Sequence, residues 1–414
     1  MKLALIGCGR VAKHYRAVLA EPLLNDVRVV GVADADAAKR DEFAKHFAAV
    51  ATSSVGECIE KSNPDLVVIA TPSGLHAEHT RIALEHDRHV LAEKPAAMLP
   101  SEIRSLDVLA KRRKRMYGVA FQNRLNPAVQ LLRSCVAENR FGAVTSLSVR
   151  LRWSREQSYY DDGWHGTWKM DGGVINQQAI HHVDVLQWLF GPITEVSAMI
   201  GNRLNRLEAE DTLVATLRTA AGALGTLEAT TAARPRDYEA SLTVTSEGGV
   251  ARVGGIALNL VDEFDFVAAR ADDAQRARES SIQVPTGYGL SHGPLLREIA
   301  DRLKSNRTDA PVNAIDSVHT CEVIHALYRS HEEHGWVTVG EGTQSAKLGK
   351  GNSCPKSRTS SPEKTSHRRI WRRSFHSSQS VTRPTIRASA LQESSSVVVR
   401  FQLWLAPTWW NHAS

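Results

Sequence analysis

A two-part α/β protein is what the sequence predicts, on three observations. Residues 1–120 alternate short apolar runs with amphipathic stretches, and a Gly-x-Gly-x-x-Ala opens the first of those stretches. After Phe121 the pattern turns β-rich. The expected architecture is an N-terminal dinucleotide-binding domain over 1–120, then an α+β domain over 121–340 built on a large, open, mostly antiparallel sheet. A basic tail, 341–414, would follow.

Strands are expected at 3–6, 27–33, 66–70, 89–92 and 116–119, with helices between them at 11–20, 37–47, 76–86 and 101–111. Near-continuous apolar strands separated by amphipathic helices mean a parallel sheet covered on both faces. Pro100-Ser101 opens the last of these helices, with Glu102 in its first turn. Past Phe121 a helix over 127–138 precedes alternating strands at 146–153, 194–200, 211–217 and 225–231. Gly248-Gly249 and Gly254-Gly255 mark turns, and helices at 293–304 and 314–334 close the pattern, so this sheet should carry its helices on one side. From about Gly340 the periodicity fades into Ser, Thr, Arg and Lys, ending with Trp409-Trp410. That composition suits either a basic arm for an acidic partner or a disordered, out-of-frame extension.

With 414 residues, 42% hydrophobic and 23% charged, the chain has the size and make-up of a two-domain soluble protein. The net charge of +6 is uneven: residues 345–414 carry about +10, leaving about −4 for the rest. Nucleic-acid binding by the folded part is therefore not expected. Cys8, Cys58, Cys135, Cys321 and Cys354 are odd in number and lack a CxxC pair. They suggest a reducing compartment and argue against a disulfide framework or a zinc site, so no metal is expected. No apolar run suits a signal peptide or approaches the ~18 residues of a membrane span, and a cytoplasmic protein is expected.

Gly7-Cys8-Gly9-Arg10-Val11-Ala12 is the strongest local signal. Gly7 allows the tight turn, Gly9 lets backbone approach a pyrophosphate, and Ala12 lets helix and strand pack closely. Phosphates then meet the free N–H groups of a helix N-terminus. The next strand ends in Asp34, 22 residues beyond Ala12, where a carboxylate accepts from ribose hydroxyls and repels a 2′-phosphate. A Rossmann domain binding NAD rather than NADP follows. Two further strand ends carry Thr71-Pro72-Ser73 with His76, and Glu93-Lys94-Pro95. An ammonium at such an edge can polarise a substrate hydroxyl or relay its proton.

These motifs, at these separations, resemble the Gfo/Idh/MocA family of NAD(P)-dependent sugar dehydrogenases over about residues 1–340. In the second part, Arg152-Trp153-Ser-Arg155 through Tyr159-Tyr160, Trp164-His165-Gly-Thr-Trp168, Asp171-Gly-Gly and Gln177-Gln178-Ala-Ile-His181-His182 are similar to bacterial UDP-N-acetylglucosaminuronate 3-dehydrogenases. Phe121-Gln122-Asn123-Arg124 adds to the match. The resemblance implies oxidation of a nucleotide-sugar 3-hydroxyl on the way to diacetamido-uronic acid sugars of lipopolysaccharide, in a homodimer or homotetramer. The alternatives are dehydrogenation of another cyclic polyol, such as inositol, or a non-catalytic NAD-binding regulator.

On that reading the cofactor lies on Gly7, Gly9, Arg10, Val11, Ala12, Asp34, Thr71, Pro72, Ser73, His76, Glu93, Lys94, Gln122, Trp164 and His165. His181 suits the base, its ordinary pKa lying near neutrality, with Lys94 and Gln177 beside it. Asn123, Arg124, Arg152, Arg155, Tyr159, Tyr160 and Asn176, together with His181, would take the substrate, the arginines matching its diphosphate and carboxylate. Two positions depart from the family pattern. Gln177 stands where an Asp or Asn usually precedes the histidine, and His165 stands where related enzymes carry Arg.

Overall fold

The computed structural model describes residues 1–350, which lie within one compact unit, Met1–Cys354. Its first sheet is built from β1 (Lys2–Ile6), β2 (Arg28–Ala33), β3 (Val50–Thr52), β4 (Leu66–Ile69), β5 (His89–Ala92) and β6 (Tyr117–Val119). The order is β3-β2-β1-β4-β5-β6, with every pairing parallel. The order reverses between β1 and β4, and ligands bind such sheets at the carboxyl ends beside that reversal. Leu3, Leu5 and Val68 point into one apolar cluster while Ala4, Ile6, Val67 and Ile69 point into another. Both faces of these strands are thus buried, which is why they read as unbroken apolar runs.

The sequence reading missed β3 and the helix Val55–Ser62 that follows it. A three-residue strand has no room for a pattern, and this helix buries only Val55, Cys58 and Ile59.

The second sheet contains β7 (Val144–Arg152), β8 (Ile193–Gly201), β9 (Thr212–Thr219), β10 (Leu224–Thr230), β11 (Glu239–Ser246), β12 (Gly249–Gly254), β13 (Leu260–Phe266) and β14 (Val337–Thr338). It runs β13-β12-β11-β7-β10-β9-β8-β14, antiparallel except where β10 meets β7. Along β9, Leu213, Ala215 and Leu217 point inward and Val214, Thr216 and Arg218 outward. The helices Ile180–Phe190 and Val318–Glu333 pack inside. Met199, Val214 and Leu224 are exposed apolar residues of this sheet.

Two expectations change. The helix His292–Lys304 places Leu295, Leu296, Ile299 and Ala300 in the cluster of Leu3 and Leu5, so it covers the first sheet. Its amphipathic pattern showed an apolar face but not which sheet that face covers. The tail drawn from 341 also begins too early, because Ser345 and Leu348 are fully buried. Ser345 N–H donates to His325 Nδ1 at 3.1 Å and Gly349 N–H to the Trp168 carbonyl at 2.9 Å. A strap held by such bonds has no periodicity to read. The rest of the basic tail, including Trp409-Trp410, lies outside the described residues. Among the described residues no helix is long and apolar enough to cross a membrane, and Cys8, Cys58, Cys135 and Cys321 are free and buried.

Glu210, fully buried just before β9, accepts through Oε1 from Ile175 N–H at 3.0 Å and Tyr328 O–H at 3.1 Å, while Oε2 has no partner. Burial pushes this carboxyl up to about 8. Its folded pKa exceeds the ordinary ~4.3, so its contribution is complete below that value and is lost as pH rises toward 8. Glu210→Gln has no proton to lose. Thermal melts should show it overtaking the parent between pH 5 and pH 8, by ~2 °C or more at pH 8. Equal pH slopes for the two proteins would contradict this.

Candidate active site

The glycine turn fits a dinucleotide. Gly7 has φ +95°, and a Cβ there would stand 2.5 Å from the Ala70 carbonyl oxygen, so only glycine suits the position. At Gly9 nothing lies within 4 Å of where a Cβ would be, leaving backbone open to a ligand. The helix Arg10–Val18 buries Ala12, with Val11 half-buried, and has no side chain capping its first N–H groups. Those donors and the helix dipole are free for phosphate. Asp34 accepts from the N–H groups of Cys8 at 2.6 Å and Asp36 at 2.8 Å, which fixes the turn and leaves lone pairs for ribose hydroxyls.

At the neighbouring strand ends, Thr71 and Pro72 are half-buried and Ser73 is buried. His76 is buried with Nδ1 2.7 Å from the Pro95 carbonyl and Nε2 2.8 Å from the Thr71 carbonyl; burial lowers its pKa, and the neutral ring donates to one of the two.

The chemical centre gathers around Lys94. Its Nζ donates to the Gln177 carbonyl at 2.6 Å and to the Gln177 side-chain Oε1. Gln177 lies in a π-helical turn, Ile175–Ala179, that leads straight into Ile180–Phe190 and sets His181 one turn on. Burial lowers the Lys94 pKa, with Glu93 and Asp171 acting against it. His181 is held well below its usual range by burial and by Lys94, which makes it a neutral imidazole able to accept a proton. It meets Phe121 edge-on at 5.7 Å, and its buried Nδ1 has no partner. Gln122 and Asn123 are buried nearby in sequence, each with an unpartnered side-chain oxygen.

A second group closes over the glycine turn. The Arg10 guanidinium lies 3.0 Å from Asp162 Oδ2 and 3.0 Å from His165 Nδ1, and stands 4.5 Å over the Tyr159 ring. Trp164 stacks against His165 with ring centres 3.6 Å apart. Burial lowers His165 to about 4 despite Asp162. At 165 the chain thus presents a neutral ring to the Arg10 guanidinium.

Several expected substrate contacts already have partners inside the protein. Arg124 forms a buried two-pronged pair with Asp184 at 2.8 and 2.6 Å. Arg152 forms another with Glu228, both bonds 2.7 Å, and also reaches Glu239. Tyr160 shares a 2.6 Å hydrogen bond with Thr231, and Asn176 donates to the Asp171 carbonyl at 2.6 Å. Each of these four is thus held by a partner within the protein, Asn176 through its Nδ2 alone. Arg155, paired with Asp237 at 2.8 Å, lies near Tyr159, which remains half-buried.

The sequence reading assigned no role to Asp171. Its carboxyl is buried and pushed up by that burial; Oδ2 accepts from Gly166 N–H at 2.8 Å and Oδ1 has no partner. The Asp-Gly-Gly in which it stands was the available signal.

Comparison with known proteins bears on the family and the fold. Residues 1–121 match the oxidoreductase family's NAD-binding Rossmann fold, and residues 129–252 match the Gfo/Idh/MocA C-terminal domain. The chain belongs to the Gfo/Idh/MocA oxidoreductase family. Within it, inositol 2-dehydrogenase 2 of Paenarthrobacter aurescens is 30% identical over 55% of this chain and 68% of its own length. Glucose-6-phosphate 3-dehydrogenase of Bacillus subtilis is 27% identical over 51% of this chain, and the match spans 61% of that relative. Among solved family structures, the WlbA dehydrogenase from Bordetella pertussis, in complex with NADH and UDP-GlcNAcA, is 30% identical with a TM-score of 0.77. That likeness covers 82% of this chain and 98% of the other.

Gly7→Ala should weaken NADH binding by about tenfold or more, since the new Cβ meets backbone in a left-handed conformation. A fluorescence titration of NADH measures this, and an unchanged affinity would rule out the glycine turn as the cofactor site.

Proposed function

We propose that this chain is an NAD-dependent dehydrogenase that oxidises the 3-hydroxyl of UDP-N-acetylglucosaminuronate to the 3-keto sugar, in the formation of diacetamido-uronic acid sugars. The observation that carries the proposal is the convergence of Lys94 and Gln177, with a neutral His181 one turn on, at the carboxyl edge of an NAD-binding sheet. Bound NAD+ would supply the hydride acceptor. His181 would take the hydroxyl proton, and Lys94, oriented by Gln177, would stabilise the charge developing on the same oxygen. Arg155, Tyr159 and Asn123 would contact the substrate, and Arg10, Trp164 and His165 would close over the cofactor. The likeness to WlbA structures holding UDP-GlcNAcA supports the choice of substrate. The oligomer expected for this family would use the outer face of the second sheet.

A second reading, oxidation of an uncharged cyclic polyol, is favoured by one observation. Arg124 and Arg152 are already neutralised by carboxylates, which reduces the local provision for an anionic sugar.

Purified protein should reduce NAD+ with UDP-N-acetylglucosaminuronate and release a 3-keto product. Lys94→Ala should lower kcat by roughly 10²–10⁴-fold. A panel including inositol and levoglucosan separates the two readings. Turnover of a neutral polyol with none of the nucleotide sugar would reject the first.

A further inference from the structure

Three residues with no part in the proposed chemistry form a connected line from the surface to the acid beside Lys94. Glu93 is buried at the end of β5; its Oε1 accepts from Tyr15 O–H at 2.8 Å, and its Oε2 from the N–H of Lys94 at 3.3 Å. His292, also buried, brings Nε2 to 3.6 Å from Glu93 Oε1. On its other side, His292 Nδ1 lies 3.1 Å from Nε2 of His14, which is half-buried and stacks on the partly exposed Tyr288 with ring centres 4.7 Å apart. A carboxylate only accepts, so a His292 ring with its proton on Nε2 complements Glu93 across that 3.6 Å.

We infer that His292 is a positioning residue for this active site: by presenting an N–H to Glu93 it keeps that carboxylate ionised beside Lys94 and His181, and His14 fixes the ring that does so. The inference rests on the proposed dehydrogenase reading. Burial alone would raise the Glu93 carboxyl, yet His292, Lys94 and Tyr15 together hold it down to about 2. Burial and His292 lower His14 to about 4, so it is neutral at working pH. The ionisable groups facing His292 are His14 and Tyr15 from Arg10–Val18, Glu93 from β5, Tyr288 from the segment before its own helix, and Glu21, whose carboxylate lies against Gly293. Of these Glu93 is the acceptor at Nε2. When His181 takes the substrate's proton it becomes a cation next to the Lys94 ammonium, and an ionised Glu93 offsets both charges.

Without the His292 donor, Glu93 should titrate within the accessible pH range and add to the acidic limb of kcat. His292→Leu should therefore move that limb upward by about one pH unit or more, because opposite charges at this range shift a pKa by ~1–3. KM for NAD+ should stay within about threefold of the parent. His292→Gln, which keeps an N–H, should restore the parent profile, as a purely space-filling role would not require. Should His292→Leu fail to fold, His14→Leu breaks only the outer link and should give a smaller shift in the same direction. A profile that overlays the parent in the folded variants overturns the inference. A second measurement does not depend on any substrate: 15N imidazole spectra of the full chain at pH 7 should show the His292 proton on Nε2, and less so in Glu93→Gln. A bare Nε2 at pH 7 would reject the role of His292. A protonated Nε2 in a protein that oxidises no sugar would reject the dehydrogenase reading instead.

Discussion

The architecture of the site turns on one half-buried ammonium. Lys94 leaves the carboxyl edge of the first sheet and finds both oxygens of Gln177, a residue that belongs with the second. Removing an ammonium from water is costly unless its donors are met, so this contact commits each layer to the other. Gln177 makes that contact from the π-helical turn at Ile175–Ala179, and such bulges recur at functional sites. Asn176, within the turn, donates to the Asp171 carbonyl.

Most of the first sheet was legible because buried parallel strands and glycine turns leave strong local marks. The residues whose partners the sequence did not show share a different property. Arg124 meets Asp184, Arg152 meets Glu228 and Glu239, and His14 meets His292, pairs separated by 60, 76, 87 and 278 positions. A run of arginines and tyrosines shows that guanidiniums and rings are present but not whether a carboxylate from another strand has already claimed them. The same limit explains the helix His292–Lys304, whose apolar face was plain and whose partner sheet was not. Within the site, the glycine turn and the strand-end placement of Lys94 were legible because they follow from residue type and a strand end. The setting of His76 was not, because it lies between two carbonyls, those of Thr71 and Pro95, which no side-chain pattern reveals.

Gln177 gives the site its chemical character. A carboxylate at that position would anchor Lys94 as an ion pair and hold its proton firmly. An amide accepts the same hydrogen bonds with no formal charge, so desolvation prevails and the lysine is eased toward release of a proton. His181 is pressed the same way by burial and by Lys94 itself. On the proposed reading, an alcohol that delivers its proton to His181 sets a second cation beside the ammonium of Lys94. The countercharge able to relieve it is the ionised Glu93, which raises the Lys94 pKa. A neutral residue at 177 thus moves the balancing negative charge from the turn that grips the lysine to a carboxylate behind it, and the proton affinity of the site is set by how that carboxylate is held.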